Sequence, residues 1–274
     1  MIFNTHLPEG EIESFIESIF HYKDLIPEHS IERVVPTGHI YIIFELDSLA
    51  RNTFDNETLE PKGTFTRVWV SGMHRNYISI STHKNSEMFV VQFKAFGALP
   101  FLHVPLEEIN EKVIPAEKLF GDEIFMLRDK LMAVESHQEK FTIAEEWLNE
   151  RYDKKKSPPA ELLSIVTKLK NEPASNFDKI VETYPNTHKH LIDQFKKYVG
   201  LTPKYYQRIL RFNELLQQIN QKEKLTWAQI AHQSGYSDQP HFIKEFKHFS
   251  GFNPQEFIDE GLTSREGNFF PLDK

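Results

Sequence analysis

Cysteine is absent from all 274 residues. That excludes disulfides, thiolate metal sites, iron–sulfur clusters and cysteine nucleophiles together, and it favours a reducing cytoplasm. Glycine is scarce, at 11 residues, and no Gly-rich phosphate loop, Gly-x-Ser-x-Gly elbow or His-Glu-x-x-His helix occurs. Long apolar runs are missing as well. Nothing approaches the ~20 apolar residues that span a bilayer, and Met1 to Glu11 has no basic segment leading into an apolar core, so neither membrane insertion nor secretion is expected.

What is present can fold. Apolar residues make up 39%, charged residues 26%, and phenylalanine alone fills 23 positions, enough for two domains with cores of their own. The net charge of −8 is unevenly spread: residues 1–156 carry 17 Lys+Arg against 26 Asp+Glu, whereas residues 157–260 carry 13 against 12. A near-neutral second half can still present a basic face, so nucleic acid is not excluded as its partner.

The seam between the halves is Asp153-Lys154-Lys155-Lys156-Ser157-Pro158-Pro159, where like charges repel and two prolines stop a helix. This predicts a first domain over residues 1–152, a linker over 153–159, a second domain over 160–260 and a tail over 261–274. In the first domain, Ile12, Phe15, Ile16, Ile19 and Phe20 share one helical stripe, which predicts an opening helix over 9–20. The period then changes to two. Runs at 40–44, 66–70, 77–81 and 88–93 are β-branched and aromatic and predict an antiparallel sandwich or small cupin-like barrel. From Ala116 to Tyr152 the pattern is helical again, with Phe125, Leu127, Leu131, Phe141, Trp147 and Leu148 as buried positions. Beyond the seam only helical segments are expected, giving an α+β chain with an all-α second domain.

That second domain repeats itself. His190 to Pro203 aligns without a gap to His241 to Pro254, with His, Ile, Phe, Lys, Gly and Pro identical in both copies. Each copy reads as a helix, a glycine suited to the left-handed position after it, then Thr or Asn as N-cap with Pro following. Before the second copy, Thr226-Trp227-Ala228-Gln229 is a capping box, Ile230 and Ala231 begin a short helix, and Ser234-Gly235-Tyr236-Ser237 turns the chain. This is helix-turn-helix spacing, with small Ala231 letting the helices approach and the second helix's opening residues facing outward.

Ile230 to Lys247, closed by Gly251-Phe252-Asn253-Pro254-Gln255-Glu256-Phe257, resembles the signature of AraC-type (AraC/XylS) bacterial transcription regulators, and Pro203-Lys204-Tyr205-Tyr206-Gln207-Arg208-Ile209-Leu210-Arg211 resembles that family's linker helix. The resemblance covers roughly 160–260. It implies recognition helices at about 187–199 and 238–250 in successive major grooves of double-stranded promoter DNA. It further implies an N-terminal domain that senses a small molecule, dimerises, or both, with RNA polymerase as a further partner. The first unit departs from the family pattern in its turn, Thr183-Tyr184-Pro185-Asn186, and in acidic Asp193.

Candidate DNA contacts are His188, Lys189, Asp193, Lys196, Arg208, Gln239, Pro240, His241 and Lys244. Arg211 reads as structural, through Asp193 or Glu214. For the first domain the candidate pocket is Arg33, His39, Tyr41, Trp69 and Phe93, with Phe44 and Tyr77 beside them. Ordinary core is the competing reading for each of these. Eight histidines fall before residue 150, but no His-x-His pair does, so neither a metal nor any cofactor is expected. A β-barrel enzyme with a fused helical module is the alternative, and it lacks visible catalytic groups.

Overall fold

The computed structural model describes residues 2–220, 229, 234–259 and 268–272. In chain order the strands are β1 (Ile2–His6), β2 (Ile16–Leu25), β3 (Ile31–Val34), β4 (Ile40–Glu45), β5 (Arg51–Phe54), β6 (Pro61–Phe65), β7 (Val68–Ser71), β8 (Ile78–Ser81), β9 (Ser86–Phe93), β10 (Val113–Pro115) and β11 (Phe269–Pro271). They form two antiparallel sheets, in the orders β1-β2-β9-β4-β7-β10 and β11-β3-β8-β5-β6. The helices of the first half are α1 (Leu99–Leu102), α2 (Glu117–Phe120), α3 (Glu123–Ala133) and α4 (His137–Arg151).

Alternation along the strands decides what each face of the larger sheet covers. Ile40, Ile42 and Phe44 of β4 and Phe89, Val91 and Phe93 of β9 are buried in the main core. There Phe89 meets Phe141 of α4, and Phe93 meets Phe101 of α1. The residues in between, Tyr41, Ile43, Trp69, Met88 and Val90, face the smaller sheet and form a separate cluster.

The expected helix over 9–20 is not formed. A 3-10 turn occupies Gly10–Ser14, and β2 takes the rest, paired on one side with β1 and on the other with β9. Four residues of the apolar stripe, Ile12, Phe15, Ile16 and Ile19, are buried in the main core, whereas Phe20 falls on the other face, toward the smaller sheet. The stripe's helical spacing is produced by a register shift between Ile16 and Ser18. The extra residue of such a bulge lets Ile16 and Ile19 share one face of a strand three residues apart.

The other expected strands lie where the pattern put them, within one or two residues, and α2, α3 and α4 fill the stretch from Ala116 to Tyr152. Phe125 and Trp147 are only partly buried, Phe125 lying under the Arg67 guanidinium at 3.6 Å. The segment at 153–159 is pinned: the Asp153 N–H donates to Pro100 O at 3.0 Å, and Lys154 Nζ meets Glu11 Oε1 at 2.9 Å.

After it come α5 (Ala160–Asn171), α6 (Phe177–Val181), α7 (His188–Val199), α8 (Pro203–Asn220), α9 (Gln239–Ser250) and α10 (Pro254–Asp259). The second half is not wholly helical, because β11 returns to pair with β3. Three residues are too few for a period of two to be visible in sequence.

Candidate nucleic-acid interface and ligand cavity

The repeat seen in sequence is a repeat of helix ends. α7 is capped by Thr187, whose side chain accepts from the His190 N–H, and α9 by Asp238, which accepts from the His241 N–H. Each cap satisfies a backbone donor that the first helical turn leaves over. Both helices end on a left-handed glycine, Gly200 at φ 84° and Gly251 at φ 75°. At Gly251 a side chain is excluded twice over, by the backbone and by Tyr77, whose ring would lie 2.7 Å from a Cβ.

One helix, α8, carries both α7 and α9. Tyr206 of α8 meets Phe195 of α7 at 6.2 Å, and Phe212, two turns on, meets Phe246 and Phe249 of α9 at 5.6 and 5.1 Å. Leu191, Phe195, Tyr198 and Val199 bury one side of α7, while Phe242, Phe246 and Phe249 bury one side of α9. The opposite sides are left to solvent. His188, Lys189, Asp193 and Lys196 are exposed on α7, as are Gln239, Pro240, His241 and Lys244 on α9.

Two of these candidates are engaged locally. His241 Nδ1 lies 3.1 Å from Ser237 Oγ, and its Nε2 is 3.7 Å from Glu245. Arg208 donates from Nε to Glu245 Oε2 at 3.0 Å and stacks on Tyr205. Arg211 reaches the same carboxylate at 3.4 Å and donates to Gly235 O at 3.2 Å, so its structural role falls on Glu245 and not on Asp193 or Glu214. Glu245 is a buried charge held by two guanidiniums, an arrangement that fixes α9 on α8. In the first unit, buried Tyr184 places its hydroxyl 2.9 Å from His190 Nδ1 and stacks on that ring. The Tyr-Pro turn is thereby fastened to α7. The capping box at Thr226 and the helix begun by Ile230 and Ala231 lie outside the described residues.

Between the two sheets of the first half is a cavity of about 140 Å³. His39, Tyr41 and Trp69 line it as expected from sequence; Arg33, Phe93, Phe44 and Tyr77 do not. Phe93 pairs in register with Ile40 and therefore shares Ile40's face, away from Tyr41. Arg33 falls between the cavity residues Glu32 and Val34, and alternation turns it outward, onto Tyr77 and Phe252 at 4.6 and 4.4 Å.

Several lining groups were not legible beforehand, among them Phe20, Phe65, Met88, His74, Arg51 and Phe269. Burial pushes His74 down to about 4 and lowers His39, so both imidazoles are neutral at ordinary pH. Burial also pushes the Tyr41 hydroxyl up to about 12, while it stays within 2.7 Å of Thr37 Oγ1.

Residues 186–260 match a family described as a helix-turn-helix domain. Residues 4–115 match a domain of unknown function, DUF6597. No curated protein matches in sequence. Among solved structures, ToxT from Vibrio cholerae is similar over 94% of this chain and 98% of that one, at 13% identity and a TM-score of 0.47. Wild-type ToxT from Vibrio cholerae bound to unsaturated fatty acid is similar over 93% and 94%, at 14% identity and a TM-score of 0.45. Likenesses of that size carry no functional inference.

Capped, exposed twin helices on one carrier helix, together with the helix-turn-helix match, define the class: a DNA-binding transcription regulator. Its helix-turn-helix domain is of the AraC type. Among the described residues no helix is long and apolar enough to cross a membrane, and no group of three or more metal-ligating side chains gathers.

Proposed function

We propose that the chain regulates transcription by reading specific double-stranded DNA in successive major grooves through α7 and α9, in answer to a small molecule held between the sheets of the first domain. The observation that carries this reading is the repeated presentation of α7 and α9 on α8, each with a polar face left to solvent. Lys189, Lys196 and Lys244 supply cations at those faces for phosphate. Gln239 offers the paired donor and acceptor that suits adenine, and Asp193 accepts from cytosine. His188, His241 and Pro240 complete the contacts, whereas Arg208 serves through its hold on Glu245.

Two connections lead from cavity to reader. Lining residues 36–39 meet α8, where Asn213 Nδ2 donates to Pro36 O at 3.0 Å. Along β11, Phe269 lines the cavity, while its neighbour Phe270 packs on Phe257 of α10 at 4.8 Å. A ligand that moved either wall would act on the reader directly. Fluorescence anisotropy with the chain's own promoter DNA and a scrambled duplex tests the reading. Equal affinity for the two at fixed salt would remove it.

A further inference from the structure

The two sheets end on four edge strands, and three of these are closed to further pairing. β10 and β11 are three residues long and each ends in a proline, Pro115 and Pro271, while β6 opens on Pro61 and presents exposed Lys62. Short strands, proline and lysine are the devices that keep a sheet edge from taking on another strand. β1 has none of them. It runs for five residues, Ile2-Phe3-Asn4-Thr5-His6, and pairs with β2 on one side, while its outer row of backbone donors and acceptors meets no strand among the described residues. The side chains are open as well: Ile2 and Phe3 are 53% and 52% exposed, and Leu7, just past the strand, is 67% exposed.

Charge selects what can settle there. Residues 1–156 carry 26 Asp+Glu against 17 Lys+Arg, so two copies of this domain repel each other in general, and a basic partner is drawn to its acidic faces. Residues 1–8 include no Lys, Arg, Asp or Glu. The ionisable groups beside them are paired off: His6 Nε2 lies 2.8 Å from Glu145 Oε2, and Lys23, opposite Ile2, lies 3.2 Å from Glu87. β1 is thus the described edge, free of proline and of formal charge, at which two copies can meet without setting carboxylate against carboxylate. An open backbone row accepts an extended segment, and a second copy brings one whose own row is equally open, so a single contact serves both edges.

We infer that β1 is a contact between two copies of this chain, its outer edge pairing antiparallel with the same edge of the second copy about Asn4, so that the two six-stranded sheets run on as one. In that register each Asn4 faces its counterpart, and the exposed Ile2 and Phe3 of each copy lie opposite His6 and Thr5 of the other.

The test is sedimentation equilibrium of the full chain without DNA, from low to high micromolar concentration. Wild type is expected to pass from monomer to dimer. Asn4→Lys sets two ammonium groups directly opposite each other and should weaken the dimer by about tenfold or more, with circular dichroism unchanged. Because the chain has no cysteine, a single introduced thiol reports its own neighbourhood. Opposed Cα atoms in an antiparallel pair stand about 4.5–5.5 Å apart, within disulfide range. Asn4→Cys treated with diamide should therefore form a covalent dimer at least about tenfold faster than Lys62→Cys on the β6 edge, and this holds the inference open to refutation even if the lysine variant misfolds. A wild-type chain that stays monomeric throughout overturns the inference. A dimer that Asn4→Lys leaves intact does so too, as does cross-linking of Asn4→Cys no faster than that of Lys62→Cys.

Discussion

The guanidinium of Arg33 lies 4.4 Å from the ring centre of Phe252, joining a strand of the first domain to the turn that follows the second reading helix. Tyr77 takes the other contact at 4.6 Å. The two halves of the chain are therefore clasped across an aromatic–cation stack.

Arg33→Ala is expected to lower stability by about 1–2 kcal/mol, the range of a desolvated cation–π contact with its lost packing. A double-mutant cycle with Phe252→Ala, read by urea unfolding, should give a coupling of at least ~0.5 kcal/mol. Strict additivity would mean that the clasp carries no energy.

Removing Gln239 or Lys244 to alanine should weaken specific binding by about 1–3 kcal/mol where the side chain meets a base, and the second unit should discriminate at least as well as the first. Asp193→Ala should leave affinity unchanged or raise it, while relaxing base preference. Anisotropy at fixed salt against native and scrambled operators measures all three. Loss of specific binding in Lys189→Ala, with the second-unit variants like wild type, would reverse the order of the two readers.

Salt separates lysine from arginine. Binding should fall with a log–log slope of about −0.9 per phosphate neutralised, over roughly four to seven contacts. A lysine variant on α7 or α9 that loses a phosphate contact should flatten the slope by about one. Arg208→Ala should leave the slope alone and instead cost about 1–3 kcal/mol of stability, because buried Glu245 loses its closer partner at 3.0 Å. An altered slope with an unchanged unfolding midpoint would return Arg208 to the phosphates.

Acid should weaken the fold through His74. Its ordinary value is 6.5, and burial holds it down to about 4. Between those values the unfolded chain binds one more proton than the folded chain, so stability rises with pH through this window and the contribution is flat above it. Acidifying across it should cost up to about 3 kcal/mol from this group. His74→Gln, compared with wild type by urea unfolding at pH 7 and pH 4.5, should lose less on acidification. His39 and His21, also lowered by burial, leave a residual slope in the same direction.

The reader was legible because its signals are local. Caps, C-terminal glycines and a repeated apolar phase each act within a few residues, and they recur at matching positions in α7 and α9. The cavity was half legible. Tyr41 and Trp69 follow from alternation within a strand, but assigning Phe93 to a face needs the pairing Ile40↔Phe93, and that of Arg33 needs β3 set against β8. Neither register is written in any one segment. Arg51 with Glu45 had no motif to announce it, since they come together where the chain crosses from one sheet to the other between β4 and β5.

The last described strand follows the helix-turn-helix domain in sequence yet completes the smaller sheet of the first domain, with Phe269 opposite Val34 and Pro271 opposite Glu32. A ribosome delivers the β-rich domain first, and domains generally fold as they emerge. Here the smaller sheet cannot gain its β11 edge until the whole helical domain has been synthesised. The cavity wall supplied by Phe269 is thus assembled last, and a nascent chain that has already folded its helical domain still lacks that wall.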